Sequence, residues 1–326
     1  MNIKEHRSKI FHEKVAITQL TRQFTTDLMK HSYFSSAHRR GDVLNHGLRY
    51  ETLKAIKLFP HATRLVAYQP EKKIAIGFLY LEENTDWLHT IEYVFVDPKY
   101  RKMGLATKLI NYAMMLAKEK GARKVNLSVD YRSSRAINLY AKLGFKQIGC
   151  TLLAQKFLLG SPLSRIMKRT ILGQGCLTKL ALGRKSRLVE LKTNSRRNKN
   201  ALLSIYRQCM GRQWVEFFET NDSSIVNGSR HVWQPPFFRN VLINDLANSF
   251  ALIFNSPFSS KTTVELYSTS KTIIPCVLND LLRNLTNRGV SFLQINFFNL
   301  SDKSAFKWFE EKEMNTFKFI VMGKDL

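Results

Sequence analysis

Apolar and polar positions along this chain fall into two periodicities, and their order predicts its elements. Alternation from Arg64 to Gln69 (RLVAYQ) and from Lys73 to Glu82 (KIAIGFLYLE) predicts two strands in a hairpin around Pro70-Glu71-Lys72. His89 to Val96 is dominated by β-branched and aromatic residues and predicts the next strand, which Pro98 stops. Leu105, Leu109, Ile110, Ala113, Met114, Leu116 and Ala117 then recur at helical spacing, and the helix ends at Lys120-Gly121, a cation followed by a glycine. Val125 to Val129 predicts a strand, Arg135 to Lys142 a short helix that Ser133 or Ser134 can cap, and Lys146 to Phe157 a further strand. Upstream, Lys14 to Leu20 reads as an opening strand, Gln23 to His31 and Arg49 to Leu58 as helices, and Ser32 to Asn45 as a loop. This half is an antiparallel meander followed by a strand-helix-strand-helix unit, a mixed α/β layer architecture.

The second half repeats that order. Arg187 to Lys192 predicts a strand, Asn200 to Cys209 a helix, Phe250 to Asn255 and Thr262 to Ser268 strands, and Pro275 to Arg288 a helix. Ser291 to Phe298, Ser304 to Met314 and Phe317 to Met322 complete it as strand, helix and strand. A chain of 326 residues is comfortable for two domains, each able to bury a core. The Phe-rich second half, with Trp214, Trp233 and Pro235-Pro236-Phe237-Phe238, reads as core or domain contact.

Charge separates the halves. Residues 1–155 hold 26 Lys/Arg against 13 Asp/Glu, residues 156–200 hold 12 against 1, and residues 201–326 hold 13 against 11, for a net charge of +26. The middle stretch interleaves cations with Leu, Ile and Met from Ser161 to Leu172 and breaks at Gly173 and Gly175. It reads as a basic amphipathic connector, 158–186, either solvating its charges between domains or engaging an anionic partner, a membrane surface or nucleic acid, through residues 158–199. Cys150, Cys176, Cys209 and Cys276 lie far apart, so neither a zinc site nor a disulfide framework is expected. A reducing, cytoplasmic setting fits them. Met1 to Arg7 is charged with no apolar run after it, and no run of about eighteen apolar residues occurs, so neither a secretory leader nor a membrane span is expected.

The chemistry concentrates between Leu88 and Phe145. After the strand ending at Val96, Gly104 and Ala106 are small where the chain turns into the helix, so backbone N–H groups and the helix dipole favour an anion there. Arg101 and Lys102 add two cations, which suits a pyrophosphate better than a single carboxylate. Glu92 is the candidate base. Strand alternation puts it on the face of Val94 and Val96, although an ordinary sheet-face carboxylate paired with a cation would look the same. His89 points to the opposite face and ranks below it.

These residues carry a family resemblance. Val96-Asp97-Pro98-Lys99-Tyr100-Arg101-Lys102-Met103-Gly104-Leu105-Ala106 resembles the acetyl-CoA motif of the GNAT N-acetyltransferases, Arg/Gln-x-x-Gly-x-Gly/Ala after a strand. Ala136-Ile137-Asn138-Leu139-Tyr140-Ala141-Lys142-Leu143-Gly144-Phe145 resembles the family's following motif, Ala-x-x-Leu-Tyr-x-Lys-x-Gly-Phe. The resemblance implies the GNAT acyl-CoA fold over 1–157 and a degenerate GNAT-like repeat over 187–326, where Tyr267 to Val277 has no such turn and Ser304 to Met314 has neither the Tyr nor the Gly-Phe. It implies acetyl-CoA as co-substrate, no metal, and transfer of the acetyl group to a primary amine by direct attack on the thioester. In that reading the backbone of Arg101, Lys102, Met103, Gly104, Leu105, Ala106 and Thr107 holds the pyrophosphate, and N–H groups at Val94, Phe95 and Val96 hold the thioester carbonyl. Ser133, where the family often has Asn, lies with the CoA contacts, and Tyr140 protonates the departing thiolate. Arg39 and Arg40 sit where the family builds its acceptor groove and are either acceptor contacts or solvated. Two other functions remain open: a regulatory protein that binds acetyl-CoA without turnover, and an acyltransferase using a longer acyl group while docked on an anionic surface through the connector.

Overall fold

The computed structural model describes residues 15–20, 24, 62–157, 188–190, 196–218, 239–244, 249–255, 261–269, 278–279, 281–282, 285, 292–297 and 303–326. The loop with Arg39 and Arg40, the first-half helices apart from Phe24, and the connector lie outside them, as do Cys176, Cys276, Trp233 and Pro235 to Phe238. The chain divides into two compact units. The first takes the chain up to Ser128 with Ser134–Lys146 and Met322–Leu326, and the second takes Val129–Ser133 and Gln147–Val321.

In the first unit β1 (Ala16–Gln19), β2 (Ala62–Gln69), β3 (Ile74–Thr85) and β4 (Leu88–Val96) pair antiparallel in sequence order, and β5 (Lys124–Asp130) joins β4 in parallel. The predicted hairpin and meander are thus present, with β3 running three residues beyond the predicted Glu82. Helix α1 (Leu105–Glu119) lays Leu109, Ile110, Ala113 and Ala117, all fully buried, on one sheet face. Gly77 lets that helix come close, since a Cβ there would sit 3.1 Å from Leu109 Cδ1 and 3.2 Å from the Phe95 carbonyl oxygen. On the other face Phe24 packs with Val66, Ala75, Phe78 and Phe95. Helix α2 (Ser134–Lys142) follows β5. The end of the chain is bound into this unit: Leu326 N–H donates to the Arg123 carbonyl at 2.8 Å and Lys324 Nζ to the Leu143 carbonyl at 2.7 Å.

The second unit holds β6 (Lys146–Phe157), β7 (Leu188–Glu190), β8 (Arg239–Asn244), β9 (Ser249–Asn255), β10 (Lys261–Ser268) and β11 (Phe292–Phe297). It also holds helices α3 (Arg196–Met210), α4 (Arg212–Phe217) and α5 (Lys303–Glu311), and most of β12 (Asn315–Asp325). β7, β8, β9 and β10 pair antiparallel in order, and β10 pairs with β11 in parallel. Three antiparallel steps followed by one parallel step match the strand directions of the first unit. β8 and α4 add to the elements the sequence predicts.

Where β6 belongs differs from the sequence reading, which closed the first domain with it. β6 pairs antiparallel with β11, from Phe157↔Phe292 to Leu152↔Phe297, inside the second unit. The alternation of β6 fits any sheet edge of the right width, so its partner is a tertiary choice. Leu152 and Ala154 enter a core with Ile253, Val264, Leu266, Leu281, Leu293, Ile295, Trp308 and Phe309. On the opposite face Trp214 is 2% exposed and donates its indole N–H to Tyr206 Oη at 2.8 Å.

Gly149, on β6, abuts the edge of that indole: a Cβ there would lie 2.5 Å from Trp214 Cε3. Since the ring is buried and already hydrogen-bonded, Gly149→Ala is expected to cost about 1–3 kcal/mol by overpacking. Denaturant unfolding measures it, and an unchanged midpoint would contradict the packing described.

Candidate active site

The site begins with an irregularity in β4. Phe95 pairs with Phe78 and Glu92 with Tyr80, so Tyr93 and Val94 together oppose Leu79 alone. This is a β-bulge, and Tyr93 has φ of +52°, in the left-handed region. One extra residue reverses which face every later side chain takes. Alternation predicts Glu92 on the face of Val96; the bulge puts Glu92 on the face of Phe95, Phe78 and Tyr80, while Val96 lies opposite Gly77 on the α1 side. The parallel ladder to β5 runs from Leu88↔Lys124 to Ile91↔Leu127 and ends just before the bulge. Both strands continue past that point without pairing to each other, so the sheet opens at the carboxyl end of β4.

The chain then enters a built turn. Asp97 accepts from Lys99 N–H at 2.9 Å and caps the single 3-10 turn Pro98–Tyr100, whose Tyr100 hydroxyl donates to Gln69 Oε1 at 3.1 Å. Arg101 Nε donates to the Val96 carbonyl at 3.1 Å, which ties its guanidinium to the end of β4. Lys102 has φ of +66° and Gly104 φ of +75°. Gly104 is the N-cap of α1, and nothing lies within 4 Å of where its Cβ would be. The first N–H groups of a helix have no acceptor within it, so those of Leu105, Ala106 and Thr107 point out of the first turn beside this open backbone. Leu105 is itself core, 4% exposed, and could serve a ligand through backbone alone. Arg101 and Lys102 are exposed, and Met103 is half-buried.

Because β5 is parallel to β4, α2 starts from the same end of the sheet as this turn. Tyr140 of α2 is 8% exposed, its ring edge-on to Phe145 at 6.0 Å, and its carbonyl accepts from the N–H groups of Leu143 and Phe145, both at 3.0 Å. Gly144, at φ of +88°, makes that return possible. Ser133 is exposed and directly precedes α2, with its N–H donating to the Asp130 carbonyl at 2.8 Å.

The profile of the acetyltransferase (GNAT) family matches residues 26–145, which contain the bulge, the turn and Tyr140. That match takes in 120 of the 326 residues. An uncharacterised N-acetyltransferase of Methanocaldococcus jannaschii is 38% identical over 80 residues, 22% of this chain and 34% of that one. An N-alpha-acetyltransferase of Sulfurisphaera tokodaii is 45% identical over 51 residues, 15% of this chain and 30% of that one. The chain spans about a third of the length of these curated relatives. The solved GCN5-related N-acetyltransferase from Sphaerobacter thermophilus shares the fold over 95% of both chains, with a TM-score of 0.54 and 11% identity.

On the Phe24 face of the first unit's sheet the register assembles a carboxyl pair that alternation alone does not reveal. Glu82 on β3 opposes Thr90, one step from the Tyr80↔Glu92 pair, so Glu82 and Glu92 are diagonal neighbours on one face. Glu82 is 9% exposed, and Glu92 is half-buried. Burial, then the charge of Glu92, pushes the Glu82 carboxyl up to about 8, against a hydrogen bond from Asn84 that pulls it down. Burial alone lifts Glu92 to about 7. A glutamate in the apolar run IAIGFLYLE was the available signal for Glu82, but its partner depends on register. His89 stands on the α1 side opposite Glu83, 2% exposed and with Nδ1 unpartnered, and burial lowers its pKa. It does not join the carboxyl pair.

The second unit lacks each of these openings among its described residues. The β9–β10 register runs unbroken from Asn255↔Thr262 to Ser249↔Ser268, and the parallel β10–β11 ladder continues to Leu266↔Phe297. Glu265 of β10 is fully buried and accepts from Tyr267 Oη at 2.9 Å, and the Tyr206 and Tyr267 rings stand 5.3 Å apart. The place expected for a degenerate cofactor turn lies largely outside the described residues. No helix among the described residues is long and apolar enough to cross a membrane.

Glu82 and Glu92 bind protons more tightly folded than unfolded, where the ordinary value is 4.5. Their contribution to stability is therefore full below about pH 4.5 and is lost as pH rises through about 7 to 8. His89, buried and neutral, works the other way, losing stability as pH falls through its ordinary 6.5. Thermal melts should show Glu82→Gln/Glu92→Gln gaining on the native chain as pH rises across the glutamate window. Parallel pH slopes would contradict the raised values.

Proposed function

We propose that the first unit is an acetyl-CoA-dependent N-acetyltransferase that acetylates a primary amine by direct attack on the thioester. The observation that carries this reading is the bulged end of β4 leading, through left-handed Lys102 and Gly104, into an open helix N-terminus. Gly104 fits the group: its missing Cβ leaves open space beside outward N–H groups, and Arg101 and Lys102 supply the charge a pyrophosphate needs. The backbone of Arg101 to Thr107 would hold that pyrophosphate. N–H groups at Val94 to Val96, where β4 has parted from β5, would face the acyl carbonyl.

Bound acetyl-CoA supplies a thioester carbonyl as the electrophile. Glu92, ionised above about pH 7, accepts the proton of the acceptor's ammonium group and leaves a neutral amine. Tyr140 gives its phenolic proton to the departing sulfur, the acylated nitrogen releases its second proton to solvent, and Tyr140 regains one from solvent. A carbon–nitrogen bond forms, the carbon–sulfur bond breaks, and the products are an N-acetyl amide and free thiol. The net charge of +26 favours encounter with anionic acceptors or surfaces without altering this chemistry.

Calorimetric titration with acetyl-CoA is expected to show one site in the intact chain and none in Arg101→Glu/Gly104→Asp. With an accepted amine found from a panel, Tyr140→Phe is expected to lower kcat by about 10²-fold or more while acetyl-CoA affinity is kept. No binding by the intact chain would overturn the reading.

A further inference from the structure

The helix that carries the proposed proton donor has few anchors of its own. α2 is nine residues long, and among its described residues only Tyr140 is buried. A helix this short is marginal by itself, so tertiary contacts must hold it. Its last turn is a closed cap: Phe145 N–H donates to the Tyr140 carbonyl and Gly144 N–H to the Ala141 carbonyl, both at 3.0 Å. Gly144 is left-handed there, at φ of +88°, and the Phe145 ring stands edge-on to Tyr140. The cap leaves the Leu143 carbonyl without a helical donor, and Lys324 Nζ, 181 positions away in the chain, supplies one at 2.7 Å. The lysine stem lies along the same turn, since a Cβ at Gly144 would be 3.5 Å from Lys324 Cε and 3.7 Å from Cδ. The end of the chain that carries Lys324 is itself fixed. Met322–Leu326 belong to the first unit, and Leu326 N–H donates to the Arg123 carbonyl at 2.8 Å, beside the start of β5.

We propose that Lys324 is a positioning residue for Tyr140: its ammonium group closes the end of α2 and so sets where that helix presents the phenol. This rests on the acetyltransferase reading, in which Tyr140 protonates the departing sulfur. The contact suits the role. It is a charge-assisted bond at a half-buried site, and a cation at the C-terminal end of a helix is favoured by the helix dipole. No ion pair competes for this ammonium among the described residues. Lys142, the other cation in that last turn, is exposed. A proton donor must come within about 3 Å of the atom it serves, and a misplacement on the order of 1 Å costs as much as 10²-fold in rate. Leu143 follows Tyr140 by less than one helical turn, so loosening that end displaces the phenol. The turn at Gly104 is held by separate bonds, from Asp97, Tyr100 and Arg101, and is left intact.

Lys324→Met keeps the reach of the stem and removes the donor, whereas Lys324→Arg keeps a donor and the charge. With an amine that the native chain acetylates, Lys324→Met is expected to lower kcat by about 10-fold. Acetyl-CoA affinity by calorimetry and the KM for the amine should stay at their native values, and Lys324→Arg should recover most of the rate. A native kcat in Lys324→Met would overturn the proposal. An equal loss of acetyl-CoA affinity would also overturn it, because it marks damage to the whole unit. Fluorine NMR gives a reading that needs no turnover: 3-fluorotyrosine placed at Tyr140 should shift or broaden in Lys324→Met and return to its native position in Lys324→Arg. An unmoved resonance would rule out the positioning role. If Lys324→Met fails to fold, the same readings on Lys324→Leu, which also lacks the donor, decide. A displaced resonance in a chain whose native form acetylates no amine supports the link from Lys324 to Tyr140 and sinks the transferase reading alone.

Discussion

One extra residue in β4 is the constraint on which the rest of the site depends. A regular β4 would pair with β5 along its whole length and present Glu92 on the helix-covered face, where a carboxylate would meet the apolar side of α1. With Tyr93 and Val94 sharing one partner, the strand bends, its ladder to β5 stops at Ile91, and Glu92 turns to the face that carries Glu82, Tyr80 and Thr90. Left-handed backbone at a bulky residue such as Tyr93 is costly, and it persists only because flanking pairs on both sides hold it. The same three consequences are needed together: a parted sheet edge for an acyl group, a strand end aimed at a helix N-terminus, and a base on the side away from that helix.

The second unit shows what the same strand order becomes without the bulge. Its β10 pairs continuously on both edges, its glutamate is fully buried and bonded to Tyr267, and Phe250 stacks on Tyr267 at 4.7 Å. The free energy that the first unit leaves unrealised in an open edge and two raised carboxyl groups is realised there as packing. Among the described residues of that unit, large aromatic side chains fill the core.

The turn and the carboxyl pair also divide the electrostatics of the first unit. Arg101, Lys102 and the α1 terminus concentrate positive potential at one side of the opening. Desolvation keeps the two glutamates on the other from ionising as readily as free carboxyl groups. A site arranged in this way accepts an anion and an amine without the two binding regions cancelling each other. The pair destabilises the fold at neutral pH, which is the usual direction of a compromise between stability and function.

Much of this was legible in the chain. Period-two alternation identified β2, β3, β4 and β5, helical spacing identified α1 and α2, and small residues beside paired cations marked the turn at Gly104. Those features are local: each follows from side-chain size, backbone freedom and the period of burial, so the sequence by itself determined them. The face that Glu92 takes, its pairing with Glu82 and the partner of β6 are different in kind. Each rests on register between segments distant in sequence, and a one-residue shift leaves the local pattern untouched while moving a side chain through the sheet. Only the tertiary structure, by choosing which backbone groups bond across strands, decided them.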